Sequence, residues 1–433
     1  MLATLTSRWR TALAFLSLLA STNYISFTFG KTTTILGEIL LYGQANSAAP
    51  PCPQNATSAA GGGGGAAAAT APMLRGSGRP SYHEPSPHLW ESTPVVEPHA
   101  GRKTVLVTGA AGFIASHVSL ALLERGDSVV VVDELNDYYD VEVKRNNLEL
   151  LREKAREVSE RGGGRSSPEE LLAVYVGDVN NATLMTAVFE RHRPGWVCHL
   201  AARAGVRPSI DDPLLYVRAN VAGTTNMLEY SRLHSVRNVV VASSSSVYGE
   251  SGSTYFSEAE DVDRPVSPYA ATKRSGELIS RTYHRLYGLN VTNLRFFTVY
   301  GPRGRPDMAP YKFIRSISEG SRIDRYGDGS TSRDYTYVDD VVDGVVRSID
   351  RPYPCEVVNL GKGSGTRLSE FIGLVERYTG RAANVRVMPE QPGDVPFTNA
   401  DVSKARRLLG YEPRVTMEEG IRRTVAWYNE TFG

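Results

Sequence analysis

The sequence predicts an α/β fold, a doubly wound parallel sheet with a smaller carboxyl-terminal lobe. Short apolar runs alternate with helical stretches from Lys103 onward, the first run ends in a glycine-rich turn, and the pattern loosens beyond Phe297. The strand runs are apolar at successive positions, as strands covered on both faces by helices must be.

The elements follow in order. KTVLVTG reads as the first strand and Phe113 to Arg125 as its helix; SVVVVDE closes the first strand, helix, strand unit. A helix near Glu142 to Ser159, strand LLAVYVG, a helix around Thr183 to His192, strand WVCHLAA, a helix over Pro213 to His234 and strand NVVVASS come next. Ser267 to Tyr287 reads as a helix, VTNLRFF as a further strand, and CEVVNLG as a strand returning to the main sheet. Further helices are predicted at Met308 to Glu319, Leu368 to Thr379, Val402 to Leu409 and Met417 to Thr431. The charged, glycine-interrupted stretch from Glu153 to Glu170 is expected to be a mobile surface insertion.

The 433 residues carry 48 Lys and Arg against 47 Asp and Glu, a net charge of +1. Such a balance offers no electrostatic footprint for nucleic acid. Cys52, Cys198 and Cys355 lack metal spacing, the histidines form no ligand cluster, and no metal site is expected. Cys198, inside WVCHLAA, reads as a buried inert thiol.

The amino end is organised differently. Residues 1–10 form a short tail containing Arg8 and Arg10, and 11–30 an uncharged run just long enough to span a bilayer. Residues 31–101, dense in Gly, Ala, Pro and Ser, read as a disordered stem, because they cannot bury enough apolar surface to offset their ordering entropy. The expectation is a signal anchor with the bulk of the chain on the far side of the membrane, a cleaved signal peptide or transit peptide being the alternative. Residues 102–297 would hold a Rossmann-type nucleotide-binding domain, and 298–433 mainly a substrate lobe.

TGAAGFIAS places Gly109, Gly112 and Ala115 between a strand and a helix, and Asp133 ends the next strand. Gly109 permits a tight turn and Gly112 lets backbone amides approach a diphosphate, with Phe113 and Ile114 opening the helix. Asp133 would bind the adenosine ribose and repel a 2′-phosphate, so NAD is expected rather than NADP. Asp178 reads either as a contact for the adenine amino group or as an ordinary turn residue, with Val179 beside it. Leu200, Ala201 and Ala202 end the fourth strand with small or apolar side chains that allow close cofactor approach.

Tyr269 and Lys273 are four residues apart and share one helix face. A tyrosine with an ordinary pKa of about 10 is a poor base at neutral pH unless a cation favours the phenolate, a role for Lys273. Ser243 and Ser244 end the preceding strand; Ser243, with Tyr269 and Lys273, is expected to contact the cofactor, and Ser244 would share a substrate hydroxyl proton with Tyr269. Together these residues suit hydride chemistry on an alcohol.

On these motifs the chain resembles the extended short-chain dehydrogenase/reductases that act on nucleotide sugars. RFFTVYGPRGRPDMA, RDYTYVDD and QPGDVPFTNADVSKA resemble the UDP-glucuronate 4-epimerases among them. The resemblance implies tightly held NAD, a UDP-sugar substrate, a homodimer formed through the helices at Pro213 to His234 and Ser267 to Tyr287, and reversible C4 inversion through a 4-keto sugar. It places Asn220 near the catalytic helix. Given a UDP-sugar, Arg333 can hold the diphosphate and Asp394 can reach ribose or sugar hydroxyls. Thr298 and Arg305, with Ser245 or Ser246, are candidates for a sugar carboxylate, because an uncharged hexose would leave such an arginine unpaired in a closed pocket. The resemblance also implies a Golgi membrane protein with a lumenal catalytic domain, as in plants and algae.

Two positions depart from the family pattern, Arg203 where most members carry Gln and Arg303 where most carry Trp. UDP-glucuronate decarboxylases and sugar dehydratases resemble the chain too, but usually carry an acidic residue where Ser246 stands. Another UDP-sugar 4-epimerase is a further alternative, and a catalytically silent NAD-binding regulator is the non-enzymatic one.

Overall fold

The computed structural model describes residues 89–164, 166–249, 251–389 and 397–433. All belong to one compact unit, Ser81–Gly433. The expected tail and anchor, and the stem as far as residue 88, lie outside the described residues. Among those described, no helix is long and apolar enough to cross a membrane.

Seven strands form one parallel sheet: β1 (Thr104–Thr108), β2 (Ser128–Asp133), β3 (Leu172–Val176), β4 (Trp196–His199), β5 (Asn238–Ser244), β6 (Val291–Phe296) and β7 (Cys355–Leu360). Their order is β7-β6-β5-β4-β1-β2-β3. The winding reverses between β1 and β4, where the carboxyl ends of strands in an open α/β sheet leave a crevice. Each expected strand is present, and CEVVNLG does return to the sheet beside β6.

Alternating strand residues feed two apolar layers. Val105 and Val107 of β1 join α1 (Phe113–Glu124) and α2 (Val141–Arg161) on one face. Leu106 points to the other, with Met185 and Phe189 of α3 (Ala182–His192) and Met227 and Leu228 of α4 (Gly223–Leu233). The helix expected over Pro213 to His234 is real but uneven: Pro213–Tyr216 leads through a π-helical turn, Val217–Ala222, into α4. Helix α5, which carries Tyr269 and Lys273, is Pro268–Tyr287, with Ser267 capping the Ala270 amide and Gly288 ending it at φ +70°.

Beyond β6 come α6 (Ala309–Ser318), α7 (Val338–Asp350), α8 (Leu368–Thr379), α9 (Ser403–Leu409) and α10 (Met417–Phe432). Helix α7 escaped the sequence reading, yet Val338, Val341 and Val345 are fully buried in the layer shared with α1. Its apolar positions at i, i+3 and i+7 were the available signal.

Two expectations need correction. The stretch from Glu153 to Glu170 is mostly helical, because α2 runs on to Arg161 and Ser167 and Glu170 form a capping box on Pro168–Leu171. The end of the expected stem is not free either. Arg407 donates to the Trp90 and Thr93 carbonyls, the Val96 amide donates to Tyr353, and the His99 amide donates to the Asp350 carbonyl. Composition missed this docking, which rests on main-chain groups.

Candidate active site

A cavity of about 520 Å3 opens at the carboxyl ends of β1, β2, β4 and β5. At one end stands the turn from Gly109 to Gly112. Gly109 has φ +73°, and a Cβ there would come within 2.8 Å of the Ala201 backbone, so turn and β4 meet only because the side chain is absent. Gly112 begins α1 with no side-chain cap, leaving the first helix amides of Phe113 and Ile114 to an anion at the cavity wall.

Asp133 closes this end. Its carboxylate accepts from the Ala111 amide at 3.0 Å and the Leu135 amide at 2.8 Å, tying the turn to the segment after β2. Burial raises its pKa while those two amides oppose the rise. Asp178, Val179, Leu200, Ala201 and Ala202 line the same region. Asp178 accepts from the Asn180 amide and pairs with Arg218 at 3.0 Å.

The opposite end holds Tyr269, Lys273, Ser243, Ser244, Ser245, Ser246, Thr298 and Arg305. Burial raises the Tyr269 pKa, whereas a hydrogen bond with Ser244 and the charge of Arg305 pull it down. Lys273 donates from Nζ to the Ala242 carbonyl at 2.8 Å, and burial pushes its pKa down to about 8. Its ammonium lies 6.0 Å from the Tyr269 ring centroid. The charge of Arg305 thus acts on Tyr269 as well, a contribution the spacing of residues 269 and 273 did not reveal, while the Ser244 hydroxyl donates to the Ser246 hydroxyl and accepts from the Ser246 amide.

Several expected residues do other work. The Ser243 hydroxyl donates to Glu277 at 2.6 Å, so although Ser243 lines the cavity its proton is directed into the protein. Asn220 is buried and outside the lining; its side chain holds the Arg203 amide and carbonyl and donates to Thr272. Arg333 lies in the short strand Ser332–Arg333, paired with Thr366–Arg367, and is not a lining residue of this cavity. Asp394 lies outside the described residues.

Arg305 is engaged by Asp307 through Nε at 3.0 Å and Nη2 at 2.6 Å. A carboxylate thus already neutralises this guanidinium, and its charge alone does not demand an acidic sugar. Lining residues that sequence reasoning passed over include Glu134, Asn136, Tyr138, Tyr139 and Lys144. Lys144, on α2, donates to Asn136 and lies 4.6 Å from the Tyr139 ring centroid. Asp334 was also missed: fully buried, it accepts from Thr336 and from the amides of Lys362, Gly363 and Ala400, while its carbonyl accepts the Thr298 amide.

Residues 105–361 match the model of the NAD dependent epimerase/dehydratase family. The chain belongs to that family. A UDP-glucuronate 4-epimerase of Thermodesulfobacterium geofontis is 43% identical over 328 residues, covering 76% of this chain and 96% of that protein. UDP-glucuronate 4-epimerase 1 of Arabidopsis thaliana is 42% identical over 353 residues, 77% of this chain and 78% of that protein. Among solved structures, the UDP-glucuronic acid 4-epimerase of Bacillus cereus, in complex with UDP-glucuronic acid and NAD, aligns with TM-score 0.68 at 33% identity, covering 76% of this chain and all of the other. This family member accordingly has the Rossmann-type parallel sheet of those epimerases. Its uncapped helix start, glycine turn and Asp133 fit the NAD on which the family depends.

Proposed function

We propose that the protein is a UDP-glucuronate 4-epimerase, interconverting UDP-glucuronate and UDP-galacturonate with tightly bound NAD. The observation that carries the reading is the convergence of Tyr269, Lys273 and Ser244 in one cavity with the dinucleotide cradle and with Thr298 and Arg305. The relatives named UDP-glucuronate 4-epimerase, 41–43% identical, supply the sugar.

In this reading NAD takes up the C4 hydrogen with its electron pair and returns it to the opposite face of the sugar. Tyr269 accepts the O4 proton during oxidation and gives it back during reduction, Ser244 holding O4 beside it. Lys273, fixed on the Ala242 carbonyl, keeps α5 seated on the end of β5 and adds positive field to the buried site. Between the two half-reactions the 4-keto sugar turns about its link to the diphosphate. Arg305 and Thr298 hold the sugar carboxylate with its bond to C5 near the carbonyl plane, which denies the β-keto acid the overlap needed to lose carbon dioxide.

The carboxylates lining the described cavity, Asp133, Glu134 and Asp178, belong to its dinucleotide end. Ser246 stands at the other end, which favours epimerisation over decarboxylation. A UDP-glucose 4-epimerase of Thermotoga maritima aligns with TM-score 0.67 at 32% identity, covering 76% of this chain and all of the other, so a neutral hexose is the second reading. Incubation of the full chain with UDP-glucuronate or UDP-glucose, without added NAD, followed by proton NMR, separates them. UDP-galacturonate from the first supports the proposal; UDP-xylose, or turnover of UDP-glucose alone, contradicts it.

The same proposal includes a homodimer, supported by exposed apolar side chains at Ile210, Leu214, Val217, Leu278 and Leu286 on the segment before α4 and on α5. Sedimentation equilibrium tests it. It also includes a single-pass Golgi anchor at 11–30 with a lumenal catalytic domain, supported by the uncharged run after Arg10 and tested by protease protection of isolated membranes.

A further inference from the structure

β1 lies between β2 and β4. Neighbouring strands are about 4.8 Å apart, so the ends of β2 and β4 stand roughly 10 Å apart with the Gly109–Gly112 turn between them. An ion pair crosses this interval. Arg203, just beyond β4, reaches Glu134, the first residue after β2, with Nη2 and Oε1 3.1 Å apart.

Both ends are anchored. The Arg203 amide donates to Asn220 at 2.8 Å and its carbonyl accepts from Asn220 at 3.0 Å, while Asn220 also donates to Thr272 of α5. Glu134 follows Asp133, whose carboxylate is tied to Ala111 within the glycine turn. The Arg203 side chain lines the cavity and is 14% exposed, and its Nε is buried with no hydrogen-bond partner. A buried N–H without an acceptor is costly, and here it belongs to a cation beside an anion cradle.

We infer that the Arg203–Glu134 pair is a strap across the bound dinucleotide, with Arg203 Nε–H donating to a phosphoryl oxygen of its diphosphate. This rests on the NAD reading. The diphosphate is favoured over a 2′-phosphate because the Asp133 and Glu134 carboxylates, at the ribose end of β2, would repel a third phosphate. The strap gives a redox-neutral enzyme a means of keeping its cofactor: the dinucleotide leaves only after the pair parts. Glu134 is the positioning residue and Arg203 the contact.

The test uses full-length protein loaded with NAD, cleared of free nucleotide and followed for NAD release by rapid filtration, with melting curves to verify folding. The wild type is expected to retain NAD. Arg203→Gln should release it at least about tenfold faster, as loss of a charge-assisted hydrogen bond implies. Glu134→Gln should also release it faster, because the guanidinium is no longer held across the site. If Arg203→Gln does not fold, Arg203→Lys, which keeps the charge without an Nε–H, is expected to show the faster release.

Release from Arg203→Gln at the wild-type rate would overturn the strap. So would NADP bound by the wild type as tightly as NAD and lost only in the variant, which would make Arg203 a 2′-phosphate reader. A wild type that binds neither dinucleotide would instead refute the cofactor reading itself.

Discussion

Ser243 donates its hydroxyl proton to Glu277 across 2.6 Å, and Glu277 is held in turn by Arg295 through two contacts of 2.8 Å. All three are buried. Arg295, with Arg274, holds the Glu277 pKa below its ordinary value against the opposing effect of burial. Tyr269, Lys273 and Glu277 recur every four residues on α5; Lys273 engages Ala242 and Glu277 engages Ser243, so this helix face fixes the end of β5 while Tyr269 lines the cavity with Ser244.

Glu277→Gln leaves the Arg295 charge buried and uncompensated, and should cost about 3–5 kcal/mol of stability. Ser243→Ala removes one hydrogen bond of several to Glu277 and should cost about 1 kcal/mol, with NAD affinity nearly unchanged. Urea unfolding and equilibrium dialysis measure the two. A tenfold loss of NAD affinity in Ser243→Ala would restore this hydroxyl to the cofactor.

Tyr269→Phe keeps the buried ring and loses the proton carrier. Turnover should fall by at least about 100-fold while bound NAD is retained. Single-turnover kinetics with quantified nucleotide content decide this, and substantial residual turnover would assign the acid/base role elsewhere.

Lys273 has a folded pKa of about 8, below its ordinary 10.5. The unfolded chain therefore binds more protons between about pH 8 and 10.5, and this group's contribution to stability rises with pH across that window. Lys273→Met should abolish turnover and flatten the difference in unfolding free energy between pH 8 and 10. An unchanged slope would mean that Lys273 titrates normally.

His199 ends β4 fully buried, hydrogen-bonded to Thr108 at 2.7 Å and to Thr224 at 3.2 Å. Burial, then the Lys273 charge, lowers its pKa to about 3. Because the unfolded imidazole gains its proton near pH 6.5, stability falls as pH drops from there toward 3. His199→Gln should reduce that acid dependence, measured as the change in Tm between pH 7 and 5.

The strands were legible because each is an apolar run bounded by glycine or polar residues, and the cradle because Gly109, Gly112 and Asp133 sit at fixed offsets around one turn. Tyr269 and Lys273 were legible through helical spacing. Partners that meet only in space were not: Glu277 behind Ser243, Asp334 beneath Thr298 and Glu134 across from Arg203. Asp307 stands close to Arg305 in sequence, but only the fold shows its carboxylate turned back onto the guanidinium. Sequence reasoning left Arg305 waiting for a sugar carboxylate, whereas folding gives it a partner two residues away.

The central claim is that inversion occurs by removal and return of hydrogen at C4 within one closed site. UDP-glucuronate deuterated at C4, incubated with the full-length protein in ordinary water without added NAD, tests it most directly. The account predicts UDP-galacturonate with the deuterium still at C4 and no solvent hydrogen at C4 or C5. Loss of the label to water, or solvent hydrogen in the product, would contradict it.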